Sequence, residues 1–433
     1  MAAWLPETKK LKPMTTQEYL TVTEALAMVL DGLKILPVET ISLDDALGRI
    51  LAEPIKAHDS LPPFANSSMD GYAVRSVDVE GAGINSPVSL NVLADIAAGT
   101  VSDVIVTEGT AVRIMTGAAM PQGADAVVPV ENTNEPWRNS ERPLPDNILV
   151  SRAVQPNDYI RPVGEDIKEG QTVLYPGHLL RPQEIGVLAS LGVGKVPVHK
   201  QPRVGLLSTG DELIAVNQEL QPGKIRDSNS YAQAAQLRLL GAQPISLGVA
   251  RDQESDVRRK LEKGLEQEVD LFVSSAGVSV GAYDVVKAVL EKDGNVGFWR
   301  VRMRPGKPLA FGSYHGIPYL GLPGNPVSAM VSFERFVRPA ILKLGGHTDF
   351  ERPRVSVIFR EDISSDGRET YVRAIVSRTA EGYKAISTGS QGSNILTSLV
   401  KANALVIIPE GVKEVRAGTI LQAMMIDWPE SVF

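Results

Sequence analysis

Between Arg203 and Gly346, apolar runs and helix-period stripes take turns along the chain. "RVGLLSTGDEL" opens as an apolar strand and ends in a loop of hydroxyls and glycine. "NSYAQAAQLRLLG" has helical spacing, with Asn or Ser as its cap and Gly241 as its stop. "QPISLGVA" is the next strand, "DQESDVRRKLEKGLEQ" an amphipathic helix, and "DLFVSS" a strand that stops at the small-residue loop "SSAGVSVGAYD". A helix, "DVVKAVLEKDG", and a strand, "GFWRVRM", follow. Strands alternating with helices predict a parallel sheet with helices on both faces. After "NPVSAMVSFERFVRPAILKLGG", a helix, the pattern shortens to small strands, which predicts a β-barrel or sandwich.

The N-terminal half is patterned differently. "TTQEYLTVTEALAMVLDGL" begins at Thr15 with Glu18 three residues on, a capping-box spacing, and Leu20, Ala25, Leu26, Val29 and Leu30 form a helical stripe. "SLDDALGRILA" repeats the logic from Ser42 with Asp45. From about residue 57 to 150, β-rich pieces such as "AVRIMTG" and "DAVVPVE" alternate with turn formers, and "TNEPWRNSERPLPDN" reads as an exposed loop. Extended sequence then leads to a short helix, "RPQEIGVLASLG", closed by Gly192.

Composition narrows the classes of chemistry. At 433 residues the chain exceeds one compact core, so two to four domains are expected. The formal charge of −7 argues against broad nucleic-acid binding. With no cysteine, disulfides, thiolate metal sites and cysteine nucleophiles are excluded. Five histidines, at 58, 178, 199, 315 and 347, lie too far apart for a metal-ligand spacing. The first residues lack the apolar stretch of a signal peptide, and no apolar window approaches the roughly 18 residues of a membrane span. A soluble cytoplasmic protein is the expectation.

Ligands of open α/β sheets bind beyond the carboxyl ends of the strands. Three loops fall there: "STGDEL" with Ser208 and Thr209, "SSAGVSVGAYD" with Gly277, and "GLPGNPVSA" with Pro323 and Asn325. Asn325 is a favoured N-cap and Pro326 a favoured first helical residue, so this helix start offers free N–H groups to an oxyanion. A plain cap explains the same residues, but three such loops at one sheet edge favour a phosphate-bearing ligand. In "RVRMRPGKP" strand alternation places Arg300, Arg302 and Arg304 on one face, with Lys307 on the following turn. Those arginines need acidic neighbours or an anionic ligand. Asp227 and Asp284 precede helices and read as caps or as Mg²⁺ ligands beside phosphates. Met69-Asp70-Gly71 and Thr116-Gly117 mark two further contact loops. Neither GxGxxG nor GxxxxGK[ST] occurs, which disfavours nicotinamide dinucleotides and P-loop hydrolysis.

"NSSMDGYAVR", "RIMTGAAMPQGADAVV", "RPVGEDI", "STGDEL", "DSNS", "GVSVGAYD", "RPGKPLAFG" and "GLPGNPVS" occur in an order that resembles the molybdopterin molybdenumtransferases, the MoeA and gephyrin E-domain family, over residues 16–425. The resemblance implies insertion of molybdate into adenylylated molybdopterin with release of AMP, assisted by Mg²⁺. It implies a multidomain subunit: an elongated discontinuous domain (16–56 and 150–200), a β-rich insert (57–149), a parallel α/β molybdopterin-binding domain (201–346) and a C-terminal β-barrel (350–429). It places functional positions on Asp70, Thr116, Asp166, Glu184, Asp227, Ser279, Asp284, Arg304, Lys307, Arg373 and Ser393, with Mg²⁺ at Asp227 and Asp284. Asp70 and Thr116 would come from the second subunit of a homodimer. Molybdopterin adenylyltransferase and molybdoenzyme maturation proteins are the implied partners. This chain departs from the family at Ala276 and Ala282, where a glycine and an acid are usual, and at Arg300 and Arg304, where many members have lysine. Two other readings stay open: a molybdopterin adenylyltransferase, which resembles only the middle domain, and a non-catalytic gephyrin-like scaffold.

Overall fold

The structure, a computed structural model, describes residues 19–135, 143–275 and 285–427. The apolar runs of the middle region assemble a seven-stranded sheet in the order Tyr19–Leu20, Gly294–Val301, Pro308–Tyr314, Ile317–Leu322, Leu271–Ser275, Arg203–Thr209, Gln243–Ala250. The last four strands in that order are parallel, as their helical crossovers require. The expectation of a wholly parallel sheet fails at Pro308–Tyr314, which runs antiparallel to both its neighbours. The reason is local. His315 and Gly316 form a two-residue turn with φ of 47° and 83°, and so tight a connection can only reverse the chain.

Helices cover both faces. On one, Val257 and Leu261 of the helix Glu254–Glu266 and Val286, Val289 and Leu290 of the helix Val285–Asp293 pack with Phe272, Tyr314 and Tyr319. On the other, Leu237 of the helix Asn229–Leu239, Phe333, Phe336 and Ile341 cover Val204, Val273 and Leu320. Val22, Ala25 and Val29 of the helix Val22–Asp31 belong to this second cluster. The N-terminal helix therefore shares its core with the helices between Pro326 and Leu344 that cover this sheet.

Its capping box also differs from the expected one. Thr15 and Glu18 lie outside the described residues. The same Thr-x-x-Glu spacing recurs at Thr21, whose hydroxyl accepts from the Glu24 N–H (3.1 Å) while Glu24 Oε2 accepts from the Thr21 N–H (2.8 Å). Tyr19 and Leu20, ahead of the box, pair with Arg300 and Val301 as an edge strand. The second expected helix, from Ser42, is a single 3₁₀ turn at Leu43–Asp45 without a side-chain cap. Gly48, at φ 75°, ends it, and Ile50 and Leu51 bridge to Leu179 and Val198.

Val38–Ser42 pairs antiparallel with Lys195–His199, and Ile55–Lys56 pairs with Thr172–Leu174, so these separated stretches zip together. Between them lies a five-stranded sheet ordered Ala126–Pro129, Gly71–Val74, Thr110–Ile114, Val88–Ile96, Asn147–Val150. The helix closed by Gly192 is Pro182–Ser190.

The choice between barrel and sandwich is decided by closure. Glu369–Thr379 pairs with Gly382–Ser387 and also with Ala404–Ile408; Arg354–Phe359 and Ile420–Met425 complete a five-stranded ring. The arginine strand is divided between the two bodies. It leaves the seven-stranded sheet at Val301, and Met303–Arg304 pairs with Glu369 and Thr370 of the barrel. Val301 and Met303 are nonetheless both fully buried, so the alternation persists across the break.

The Thr21 cap predicts a measurable loss. Thr21→Ala lowers the denaturation midpoint by the equivalent of about 1 kcal/mol, read from urea unfolding followed by circular dichroism.

Candidate active site

The parallel strands end on one side of the sheet, at Thr209, Ser275 and Leu322. Beyond them opens a cleft of about 960 Å³ whose opposite wall is the barrel. Thr209, Asp227, Arg304, Lys307, Pro323, Asn325 and Ser393, among the expected residues, all line it. Ser208 lies just beneath the floor, buried, with its hydroxyl 3.2 Å from that of Ser275, which does reach the cleft. Gly277, Ser279 and Asp284, and with them Ala276 and Ala282, lie outside the described residues.

Polar links across the cleft hold its two walls. Asn325, at the N-cap of the helix Pro326–Ser332, makes no side-chain cap. Its Nδ2 instead donates to Ser393 Oγ at 3.2 Å, and the Val327 N–H donates to the Ser393 carbonyl at 3.1 Å. One of the free N–H groups expected for an oxyanion is thus already engaged. On the sheet side, Asn229 Nδ2 donates to the Gly324 carbonyl at 2.8 Å, fixing the 227–229 loop to the 323–325 loop.

Asp227 is 7% exposed, and its Oδ1 accepts from the Ser230 N–H at 3.1 Å, the bond of a helix cap. Its second carboxylate oxygen has no hydrogen-bond partner among the described residues. One engaged and one open oxygen fits a Mg²⁺ ligand, since that ion takes few carboxylates together with phosphate oxygens. No cluster of three or more His, Asp or Glu that could hold a metal occurs among the described residues.

The cations have different surroundings. Arg302 is neutralised by Glu410 at 2.8 Å. Arg304 stands 3.9 Å from Asp366, which is itself bound by Arg368. Lys307 is in no ion pair among the described residues; its ammonium lies 5.2 Å from the centre of the Tyr19 ring. The turn that presents it requires glycine: Gly306 has φ 106°, and a Cβ there would meet Ser332 Oγ at 2.5 Å.

Arg373 is 1% exposed and braces the barrel lip from behind. Its Nη2 donates to the Gly392 carbonyl and its Nε to Ser398 Oγ, both at 3.1 Å. Burial, and secondarily the charge of Arg304, pushes its pKa down to about 10, which leaves it cationic at neutral pH.

Besides Ser208 and Arg373, four expected residues lie away from this chain's cleft. Asp70 and Thr116 meet each other on the five-stranded unit, where Asp70 Oδ1 accepts from the Thr116 N–H (2.7 Å) and hydroxyl (2.9 Å). Asp166 is exposed, its N–H donating to the Leu61 carbonyl at 3.0 Å. Glu184 occupies the first turn of the helix Pro182–Ser190. Both its oxygens are taken by Arg181: Oε2 by the backbone N–H at 3.0 Å and Oε1 by Nη2 at 2.6 Å. The Arg181 side chain holds its pKa down at about 2, so its carboxylate is charged near neutrality and caps this helix.

Three family models cover the chain in order. They are the MoeA N-terminal region (domain I and II) over residues 20–192, the probable molybdopterin binding domain over 205–343, and the MoeA C-terminal region (domain IV) over 356–426. Molybdopterin molybdenumtransferase 2 of Mycobacterium tuberculosis is 40% identical over 390 residues, which span 88% of this chain and 94% of that one. The chain belongs to the molybdopterin molybdenumtransferase family. The molybdopterin molybdenumtransferase of Haemophilus influenzae is 38% identical over 92% of this chain and 96% of its own. The crystal structure of a molybdopterin biosynthesis moeA protein from Pyrococcus horikoshii OT3 superposes with a TM-score of 0.79 at 32% identity, covering 94% of this chain and all of that one.

Among the cleft residues are two that the sequence did not single out, Arg368 and Gln391. The run "GSQGSN" carried the signal for Gln391, being as small and polar as the three strand-end loops. Arg368 carried none.

Glu184 yields a pH prediction. Its folded pKa is depressed, so its stabilisation is complete above the ordinary value of 4.5 and fades as pH falls toward about 2. Glu184→Gln therefore unfolds at lower temperature than wild type at pH 7, and the gap in calorimetric Tm narrows below pH 4.5.

Proposed function

We propose that this protein inserts molybdate into adenylylated molybdopterin, releasing AMP and giving molybdenum cofactor. The observation that carries the reading is the cleft itself. Strand-end loops suited to a phosphoanhydride face cations suited to a tetrahedral dianion, in a chain of this family. Thr209, Ser275 and the 323–325 loop bind the phosphates through hydroxyls and backbone N–H groups. Lys307 and Arg304, backed by Arg368, receive molybdate: lysine acts as a point charge and arginine as a planar fork. Ser393 and Arg373 shape the far side of that subsite. Ser279 and Gly277 extend the phosphate cradle.

Asp227 and Asp284 are assigned to Mg²⁺, which supplies charge neutralisation at the leaving AMP phosphate. Asp227 then has two duties, with one oxygen capping its helix and the other turned to the ligand. The protein functions as a cytoplasmic homodimer, with the elongated domain (16–56 and 150–200), the insert (57–149), the α/β domain (201–346) and the barrel (350–429) as its units. The Asp70–Thr116 pair, exposed and already ordered, contacts the ligand of the other subunit, and Asp166 is assigned to the same shared site. Molybdopterin adenylyltransferase supplies the substrate, and molybdoenzyme maturation proteins receive the product. Family models on both sides of the middle domain favour the transferase over an adenylyltransferase built on that domain alone.

Purified protein given adenylylated molybdopterin, molybdate and Mg²⁺ releases AMP, and Asp227→Ala slows release on the order of 100-fold. No AMP from the wild-type protein, with substrate intact by chromatography, overturns the reading. Mixing inactive Asp70→Ala and Lys307→Ala subunits after unfolding restores roughly a quarter of wild-type activity, because half the dimers then hold one complete site. No restoration counts against the shared site.

A further inference from the structure

Tyr19 lies outside every motif of the family resemblance, yet it meets two cations at the cleft edge. The Arg300 guanidinium carbon lies 5.9 Å, and the Lys307 ammonium 5.2 Å, from the centre of its ring. Both fall within the range of a cation–π contact. Lys307 lines the cleft and is in no ion pair among the described residues, so the ring is its identified restraint. The phenol is affected in turn: hydrogen bonding to Lys307 above all, with Arg300 adding, holds its pKa below the usual range.

The backbone that carries Tyr19 is fixed independently of the ring. Tyr19 and Leu20 pair with Arg300 and Val301, and the Leu20 carbonyl accepts from the Arg302 N–H at 2.7 Å. The residue is 36% exposed and belongs to none of the buried hydrophobic clusters. An aromatic ring kept at the surface between two cations is therefore placed to act on those cations.

We propose that Tyr19 is a positioning residue for molybdate, its ring holding the Lys307 ammonium at the cleft mouth. This rests on the assignment of Lys307 to the oxyanion made above. A flexible lysine on a Pro-Gly turn samples many rotamers, and a ring face beside its ammonium narrows them without neutralising the charge. An acidic restraint at the same place would compete with the dianion. An aromatic one does not.

The test measures AMP release against molybdate concentration, with calorimetric molybdate binding as a second readout. Tyr19→Leu raises the molybdate KM and Kd by roughly 3- to 10-fold, with a smaller change in kcat. Tyr19→Phe, which keeps the ring face but loses the hydroxyl that hydrogen-bonds Lys307, falls between Tyr19→Leu and wild type. In a Lys307→Ala background, Tyr19→Leu adds no further loss. Wild-type molybdate affinity in Tyr19→Leu, with affinity lowered in Lys307→Ala, overturns the inference and leaves the lysine assignment standing. Wild-type affinity in Lys307→Ala overturns the assignment itself.

Discussion

The short passage of chain from Val301 to Lys307 is the constraint on which the cleft depends. Val301 is the last residue of the strand in the seven-stranded sheet, and Met303 and Arg304 are already paired with the barrel. Met303 is fully buried between the two bodies, and Gly306 turns the chain back at a φ only glycine adopts easily. One continuous segment therefore fixes the barrel against the carboxyl edge of the sheet. The cations then follow from the path: they lie on the segment that joins the two walls.

The electrostatics of this junction are selective. Arg302 is tied to Glu410, whereas Arg304 stands 3.9 Å from Asp366 and still lines the cleft. The first charge sets the field of the region and the second reaches the opening. Lys307 faces the same opening in no ion pair among the described residues, restrained by the Tyr19 side chain. In a chain with a net charge of −7, this concentrates attraction for a dianion at one point of the surface.

Much of this was legible in the sequence because the middle domain is periodic. Alternating runs gave the strands and helices, and the alternation of Val301 and Met303 against three arginines survived a break that no pattern announced. The N-terminal helix shows the opposite. Thr-x-x-Glu occurs at both Thr15 and Thr21; the second caps the described helix, directly after Tyr19–Leu20 pairs with a strand nearly 300 residues away. The antiparallel hairpin around His315-Gly316 was written in a two-residue turn between apolar runs, which the strand–helix alternation of its surroundings obscured. Arg368 and Gln391 reach the cleft only because the barrel closes and docks, a fact that no local spacing encodes. Glu184 also caps its own helix, a pairing visible only once the neighbour, Arg181, is seen to reach both oxygens.

The five-stranded unit leaves its host at Asn66–Ser67 and returns at Ile160–Arg161, and those two segments are rungs of one antiparallel ladder. The gap between departure and return is therefore about the 5 Å that separates neighbouring strands. Whatever the length of chain between them, the host's two ends stay in register, and lengthening the insert adds only slowly to the entropy of closing it. Topologically the unit is a cassette. The host can carry a longer or shorter unit on the same two rungs, so the surface with Asp70 and Thr116 can be repositioned without rebuilding the host's own fold.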